Sequence, residues 1–207
     1  MKLKQNVWVY IELVNGELSP LSIELLGKGR ELADSRNTTL VGLIIGSGAE
    51  SAAKNVIGYG ADAVIIAENP ELVSFDSILY TKAVADITAK YEPNVILIGA
   101  SNNGRDLGGR LSSALNLGLV ADCIDVNYEG NDDSLTWIRP AYTGKLFVKI
   151  LTTTRPQLGT VSDKIFRGNA FDTTRKGEII KETVDIGDLK PRQKVTHFEI
   201  LTAEELE

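Results

Sequence analysis

Val95-Ile96-Leu97-Ile98-Gly99-Ala100-Ser101-Asn102-Asn103-Gly104-Arg105 is the stretch that decides the fold. Its first four residues are apolar without alternation, which is the pattern of a strand buried on both faces. The glycine and small polar residues that follow form a turn, and a helix is expected from about Arg105 to Leu115, with Gly118 suited to its left-handed cap. Strands buried on both faces belong to parallel sheets covered by helices.

The same rhythm runs upstream. Val7-Trp8-Val9-Tyr10-Ile11 is a short β-branched and aromatic run, closed by an Asn15-Gly16 turn. Ser19-Pro20 then opens a helix, with serine as the cap and proline at the first helical position. Leu25, Leu26, Gly29, Leu32 and Ala33 share one face of it, and Gly29 lets that face approach a sheet. Leu40–Ile45 and Ala63–Ala67 are further strands, with a short helix from Glu50 to about Ile57 between them. Phe75 to Tyr91 reads as a long helix, with Tyr80, Ala83, Val84, Ile87 and Tyr91 on one side. Alternating strands and helices predict a three-layer, doubly wound, mostly parallel α/β domain of Rossmann-like type.

Downstream of Gly118 the pattern changes. Val120–Val126, Leu135–Ile138, Leu146–Leu151 and Gln157–Val161 follow one another with no helical stripe between them, and Tyr142-Thr143-Gly144-Lys145 is a turn. Antiparallel additions are expected there. From Lys164 the chain is more polar, and Thr183–Ile186 and Val195–Ile200 read as edge strands or an extended arm. Residues 1–188 are taken as one domain and 189–207 as a polar arm or linker.

Composition removes several functions. The 207 residues carry a net charge of −6, with no concentrated basic surface for a nucleic-acid backbone. No apolar run is long enough to span a bilayer, and no signal peptide is read at the start. One cysteine, Cys123, precludes an internal disulfide and lies in an apolar strand where a thiol is inert. The single histidine, His197, sits far from it in sequence, in the polar tail, a weak catalytic pair; no nucleophile–base arrangement can be picked out, and no clustered His/Cys pattern suggests a metal site. A reducing, cytoplasmic setting and a non-enzymatic role are expected.

Two loops have the chemistry for an anion beyond the carboxyl ends of the strands. They are Gly46-Ser47-Gly48-Ala49-Glu50-Ser51 and Gly99-Ala100-Ser101-Asn102-Asn103-Gly104-Arg105. In the second, Ser101, Asn102, Gly104 and Arg105 are the candidate nucleotide contacts, because backbone N–H groups, small hydroxyls and a guanidinium suit a phosphate. Both also serve as plain helix-start turns, and spacing alone favours that reading. Neither is a Walker loop or a Gly-x-Gly-x-x-Gly fingerprint. Arg110 pairs with Asp106 at helical spacing, and Arg139 and Arg155 each stand before a proline at a strand boundary, solvated or reaching across an interface.

Taken in order, Gly16-Glu17-Leu18, Glu24-Leu25-Leu26, Pro93-Asn94-Val95-Ile96-Leu97-Ile98-Gly99-Ala100, Gly104-Arg105-Asp106-Leu107, Gly118-Leu119-Val120-Ala121-Asp122-Cys123, Arg139-Pro140-Ala141-Tyr142-x-Gly144-Lys145 and Arg155-Pro156-Gln157-x-x-Thr160-Val161 closely resemble the α subunits of electron transfer flavoproteins. The resemblance covers roughly residues 5 to 170, the amino-terminal domain of that subunit. It implies an adenine-nucleotide-hydrolase-like fold that serves mainly as a scaffold docking a β subunit. It further implies a heterodimer that carries FAD, mostly in a carboxyl-terminal domain, and moves electrons between dehydrogenases and an acceptor. The glycine-rich opening of that FAD domain is not among these residues, so no tight FAD binding by this chain alone is expected. The Arg139 segment resembles the stretch that approaches the β subunit's nucleotide. The alternative is a free-standing nucleotide-binding domain of the same fold, of universal-stress or PP-loop type. Against it, Glu12-Leu13-Val14-Asn15-Gly16 stands where the pyrophosphatases carry Ser-Gly-Gly-x-Asp-Ser.

Overall fold

The computed structural model describes residues 4–46, 48–130, 132–192 and 195–197. Its centre is a seven-stranded sheet in which every pairing is parallel. The strands are β1 (Val7–Ile11), β4 (Leu40–Ile45), β5 (Ala63–Glu68), β6 (Val95–Gly99), β7 (Leu119–Cys123), β11 (Gln157–Val161) and β12 (Glu178–Thr183). Their spatial order is β12-β5-β4-β1-β6-β11-β7, so the direction of winding reverses between β1 and β6. Helices α1 (Pro20–Ser35) and α2 (Glu50–Gly58) cover one face, and α3 (Ser77–Tyr91) and α4 (Asn102–Leu115) cover the other.

The unbroken apolar runs are explained by this sandwich, because each strand feeds two cores. In β1, Val7, Val9 and Ile11 pack with α1 and α2, while Trp8 and Tyr10 point into the layer of α3 and α4. β6 divides the same way, Val95 and Leu97 against Ile96 and Ile98. Ser19 caps α1 as expected, accepting from the Ser22 N–H at 3.1 Å ahead of Pro20.

The antiparallel additions form sheets of their own. β2 (Leu13–Val14) and β3 (Glu17–Leu18) flank the Asn15-Gly16 turn, and β8 (Asp125–Tyr128), β9 (Leu135–Ala141) and β10 (Leu146–Leu151) make a three-stranded sheet. The expected strand over residues 120–126 is therefore two, since the chain leaves the central sheet at Ile124. Trp137 locks the two sheets together. Its indole is fully buried against Gly159 of β11, where an added Cβ would lie 2.3 Å from the ring. Buried Gln157 adds a polar stitch, accepting from the Leu135 N–H at 2.6 Å and donating to the Asp133 carbonyl at 2.7 Å.

Residues 162–177 carry the chain from β11 to the far edge as a belt across α1 and α2. Glu24 accepts from the N–H groups of Lys164, Ile165 and Phe166 at 3.1–3.3 Å. Glycines make room for the crossing: a Cβ on Gly27 would meet the Arg167 carbonyl oxygen at 2.2 Å, and one on Gly58 would meet the Phe171 ring at 2.3 Å. Asp62 fastens its end, accepting from Arg30 at 2.6 Å, Arg175 at 2.8 Å and the Leu40 N–H at 2.8 Å.

Several boundaries differ from the sequence reading. α4 begins at Asn102 because Ser101 caps it, and its left-handed C-cap is Asn116, not Gly118. α3 begins at Ser77, capped by Asp76. The edge strand expected at 183–186 ends at Thr183, and its polar stretch is held by Lys181–Glu50 and Lys90–Glu182 ion pairs. Of the strand expected at 195–200, residues 195–197 are not extended into a sheet and 198–200 lie outside the described residues, as does Ser47.

Candidate functional site

The carboxyl ends of β1, β4 and β6 open into a cavity of about 630 Å³ at the point where the winding reverses, the place where this architecture holds ligands. Its walls are largely apolar and aromatic, with Tyr10, Ile45, Phe75 and Tyr80, and polar groups come from Glu12, Asn15, Ser74 and Asn103. No lysine, arginine or histidine is among its described lining residues. Burial pushes the Tyr10 hydroxyl pKa well up, with Tyr80 and Glu12 adding to it, and burial pushes Tyr80 to about 12, so both stay protonated.

Both candidate loops reach this edge, and among their described residues neither presents a free anion cradle. Ser101 Oγ accepts from the Gly104 N–H at 2.9 Å, which uses a donor that a phosphate would need. Asn102 is the exposed first residue of α4. A Cβ on Gly104 would fall 1.9 Å from the Gly99 carbonyl oxygen, so this glycine is set by the approach of α4 to β6. Arg105 Nε donates to Asp122 at 2.8 Å, and Arg110 to Asp106 at 2.8 Å. In the other loop, Gly46 and Ala49 line the cavity, but Glu50 places a carboxylate in the first turn of α2 and pairs with Lys181. That charge already complements the helix end and disfavours a second anion.

Arg139 is not among the lining residues of this cavity; it lies on β9 opposite Val148 of β10. Among the described residues it forms no ion pair or side-chain hydrogen bond. Its charge and that of Asp122, the partner of Arg105, both reach the Cys123 thiol at the end of β7. Burial dominates at that thiol and pushes it up to about 12, which leaves it inert.

Around Arg139 the hairpin projects from the body. β9 is buried at Leu135, Thr136 and Trp137 and emerges from Ile138 onward. β10 is exposed nearly throughout: Leu146, Phe147 and Leu151 are 55%, 66% and 59% accessible, and Tyr142 in the turn is 76% accessible. Sequence reasoning located these strands without showing that their apolar residues face out. The signal was the non-alternating run Leu146-Phe147-Val148 beside a polar turn.

A second concavity, about 930 Å³, lies at the amino edge of the sheet. Its cations are spent internally. Lys4 pairs with Glu92 at 2.7 Å, Arg155 donates to the Asp133 carbonyl at 3.2 Å, and Arg36 stacks 4.4 Å over the Tyr128 ring while donating to the Gly130 and Asp132 carbonyls. The ends of α1, α3 and α4 that meet there are carboxyl ends, which also disfavour an anion.

Among the described residues no helix is long and apolar enough to cross a membrane, and no group of acids, cysteines or histidines has the arrangement of a metal site.

A family model described as the electron transfer flavoprotein domain matches residues 7–186. Among curated proteins, the chain is 36% identical over 192 residues to the electron transfer flavoprotein subunit alpha of Thermoanaerobacterium thermosaccharolyticum, covering 92% of this chain and 58% of that protein. It is 34% identical over 185 residues to the subunit of the same name from Megasphaera elsdenii, covering 89% and 55%. It is 37% identical over 199 residues to protein FixB of Rhizobium meliloti, covering 94% and 56%. The chain thus spans a little over half the length of these relatives. With the parallel sheet and projecting hairpin in place over the matched residues, the chain belongs to the electron transfer flavoprotein family.

Proposed function

We propose that this chain is the scaffold part of an electron transfer flavoprotein α subunit, and that it docks a β-type subunit through the β8–β10 sheet. One observation carries the reading: β10 stands off the body with large apolar side chains exposed along it, and among the described residues nothing covers them. Single exposed leucines are ordinary, whereas a contiguous group of large apolar side chains marks an interaction surface. An interface of roughly 2,000 Å² or more is expected for a permanent subunit pair. Arg139, paired with Val148, lies on the side of the hairpin that carries Trp137 and Ile150, opposite to Phe147 and Leu151, and among the described residues it forms no ion pair or side-chain hydrogen bond, which supports a contact with the partner's bound nucleotide.

FAD belongs to the complex and is held mostly outside residues 1–188, with 189–207 leading toward the domain that binds it. The fit at the carboxyl-edge cavity supports this division. A dinucleotide brings two phosphates, and the described lining offers them no cation, a capped helix start and a carboxylate at Glu12. The chain is then an electron-transfer component of a cytoplasmic complex that serves dehydrogenases and an acceptor, with the redox chemistry supplied by the flavin.

The test is co-purification with a β subunit, for the chain as it stands and for Phe147→Lys with Leu151→Lys. A stable pair that the double substitution abolishes is expected, and pairing that survives it refutes the surface. Incubation with FAD followed by desalting is expected to leave the chain colourless; a retained near-stoichiometric flavin spectrum refutes the division of roles. For Arg139→Ala, an unchanged nucleotide affinity of the β subunit removes that residue's proposed role.

A further inference from the structure

Two hairpins of this chain bend through left-handed backbone, and they do so with different residues. Between β2 and β3, Asn15 and Gly16 have φ of +53° and +82°. Asparagine and glycine tolerate successive left-handed positions and are the ordinary choice there. Between β9 and β10, Tyr142, Thr143 and Gly144 have φ of +49°, +55° and +81°. The Gly144 N–H donates to the Ala141 carbonyl at 3.1 Å, and the Lys145 N–H to the Tyr142 carbonyl at 3.3 Å. Left-handed backbone crowds Cβ against the following carbonyl oxygen, and a branched Cβ is stiffer still. Among the described residues Thr143 is the one β-branched residue with positive φ.

Nothing within the described chain accounts for this choice. Tyr142 is 76% accessible and Thr143 is exposed. Among the described residues neither side chain makes a hydrogen bond, and the Tyr142 ring meets no other ring or cation. Strained backbone persists where something outside the local turn requires its side chains. A tyrosine suits such a place, because its ring is large, rigid and amphipathic and becomes an anchor once it is desolvated in a partner's pocket. Lys145, next along, is exposed and among the described residues forms no ion pair, so the surface that receives the tip is an apolar slot with a carboxylate at its rim.

We propose that Tyr142 and Thr143 anchor the hairpin in its partner: the left-handed turn presents the tyrosine ring to a slot on the β-type subunit, at the expense of the chain's own stability. This role rests on docking through the β8–β10 sheet, and it assigns to the tip the side chains that set the affinity.

Tyr142→Asn with Thr143→Gly gives the tip the residues that the other hairpin uses. The full chain is expected to gain about 2–5 °C in Tm, while its affinity for a β subunit, read by titration calorimetry, falls about tenfold or more. A turn variant that binds as tightly as the unsubstituted chain overturns the anchor, and one that is no more stable overturns the strain. Lys145→Glu keeps the turn and is expected to slow association about threefold or more; an unchanged rate removes the carboxylate from the slot. Phe147→Lys with Leu151→Lys reads the sheet separately. Pairing lost there beside undiminished binding by the turn variant overturns the anchor and leaves the docking surface standing. Pairing that survives the lysines while the turn variant binds weakly removes the surface and leaves the anchor.

Discussion

Replacing Gly104 by alanine separates two explanations of one glycine. If the residue serves a ligand, the substitution changes binding and leaves stability alone. If it serves the packing of α4 on β6, stability falls. The Cβ would lie 1.9 Å from the Gly99 carbonyl oxygen and 3.1 Å from Ile98 Cγ2, so the start of α4 must retreat by about 1.1 Å to reach the 3.0 Å limit of real contacts. That retreat strains the Ser101 cap and lifts Leu107 and Leu111, both fully buried, from the core. Overpacking costs about 1–3 kcal/mol and a lost cap about 1 kcal/mol more, while alanine returns less than about 1 kcal/mol of helix propensity. The net is a loss of roughly 1–4 kcal/mol. With an unfolding entropy of about 2.1 cal/mol/K per residue, a chain of this length loses about 2–9 °C in Tm. Gly109→Ala is the internal control, since nothing lies within 4 Å of its added Cβ. It should be neutral or raise Tm by about 2 °C. Thermal unfolding followed by circular dichroism at equal concentration decides, and a Gly104→Ala chain as stable as Gly109→Ala refutes the packing argument.

Three further outcomes are expected. Asp62→Ala leaves Arg30, whose side chain is 16% exposed, with the surface carboxylate of Asp34 and the long contacts to the Gly60 and Thr38 carbonyls, and strands the Leu40 N–H, so about 2–3 kcal/mol and roughly 5–7 °C of Tm should be lost; calorimetry showing less than 1 °C contradicts the network. Burial opposes the charge on Asp76, yet the N–H groups of Arg192, Leu79 and Ile78 prevail and hold its carboxyl below the ordinary range. A depressed folded-state pKa adds stability above the unfolded value near 4 that is lost as pH falls through the folded value, so the Tm gap between wild type and Asp76→Asn should persist from pH 7 to 5 and close below about pH 4; a gap that survives to pH 2 refutes this. Finally, the uncovered Phe147 and Leu151 should drive concentration-dependent self-association of the isolated chain in sedimentation velocity, reduced by Phe147→Lys, and a monomer that persists at high concentration contradicts the exposed face.

The central sheet was legible because burial on both faces leaves a signature within a few consecutive residues, as in Val95–Ile98 and Leu40–Ile45. The cap of α1 was legible because Ser19 and Pro20 are adjacent. The start of α4 was read three residues late because two asparagines and a glycine are poor helix formers, and the reason for Gly104 is a carbonyl five residues back that only the fold brings close. Edge strand β12 was misplaced because Glu178–Thr183 alternates weakly and its support comes from ion pairs to distant helices. The candidate loop was correctly located at the carboxyl edge, but Asp122, which takes up the charge of Arg105, comes from another strand. Arg139 was singled out by resemblance, and its position on a projecting hairpin followed only from the register of β9 with β10.

The belt over α1 and α2 has a consequence for the order of assembly. β11 and β12 are five strand spacings apart, about 24 Å, and the connection has no helix to guide it. Glu24, Gly27, Gly58 and Asp62, which hold it, are in place only after α1 and α2 have docked. β12 is therefore expected to be the last strand to join and the first to leave, as pulse-labelling hydrogen exchange would show. Its departure bares the edge of β5, an apolar parallel strand with open backbone groups, and such an edge recruits strands from other chains. The belt thus acts as a guard against aggregation during synthesis and heating, and cutting it anywhere in residues 162–177 should convert reversible unfolding into precipitation.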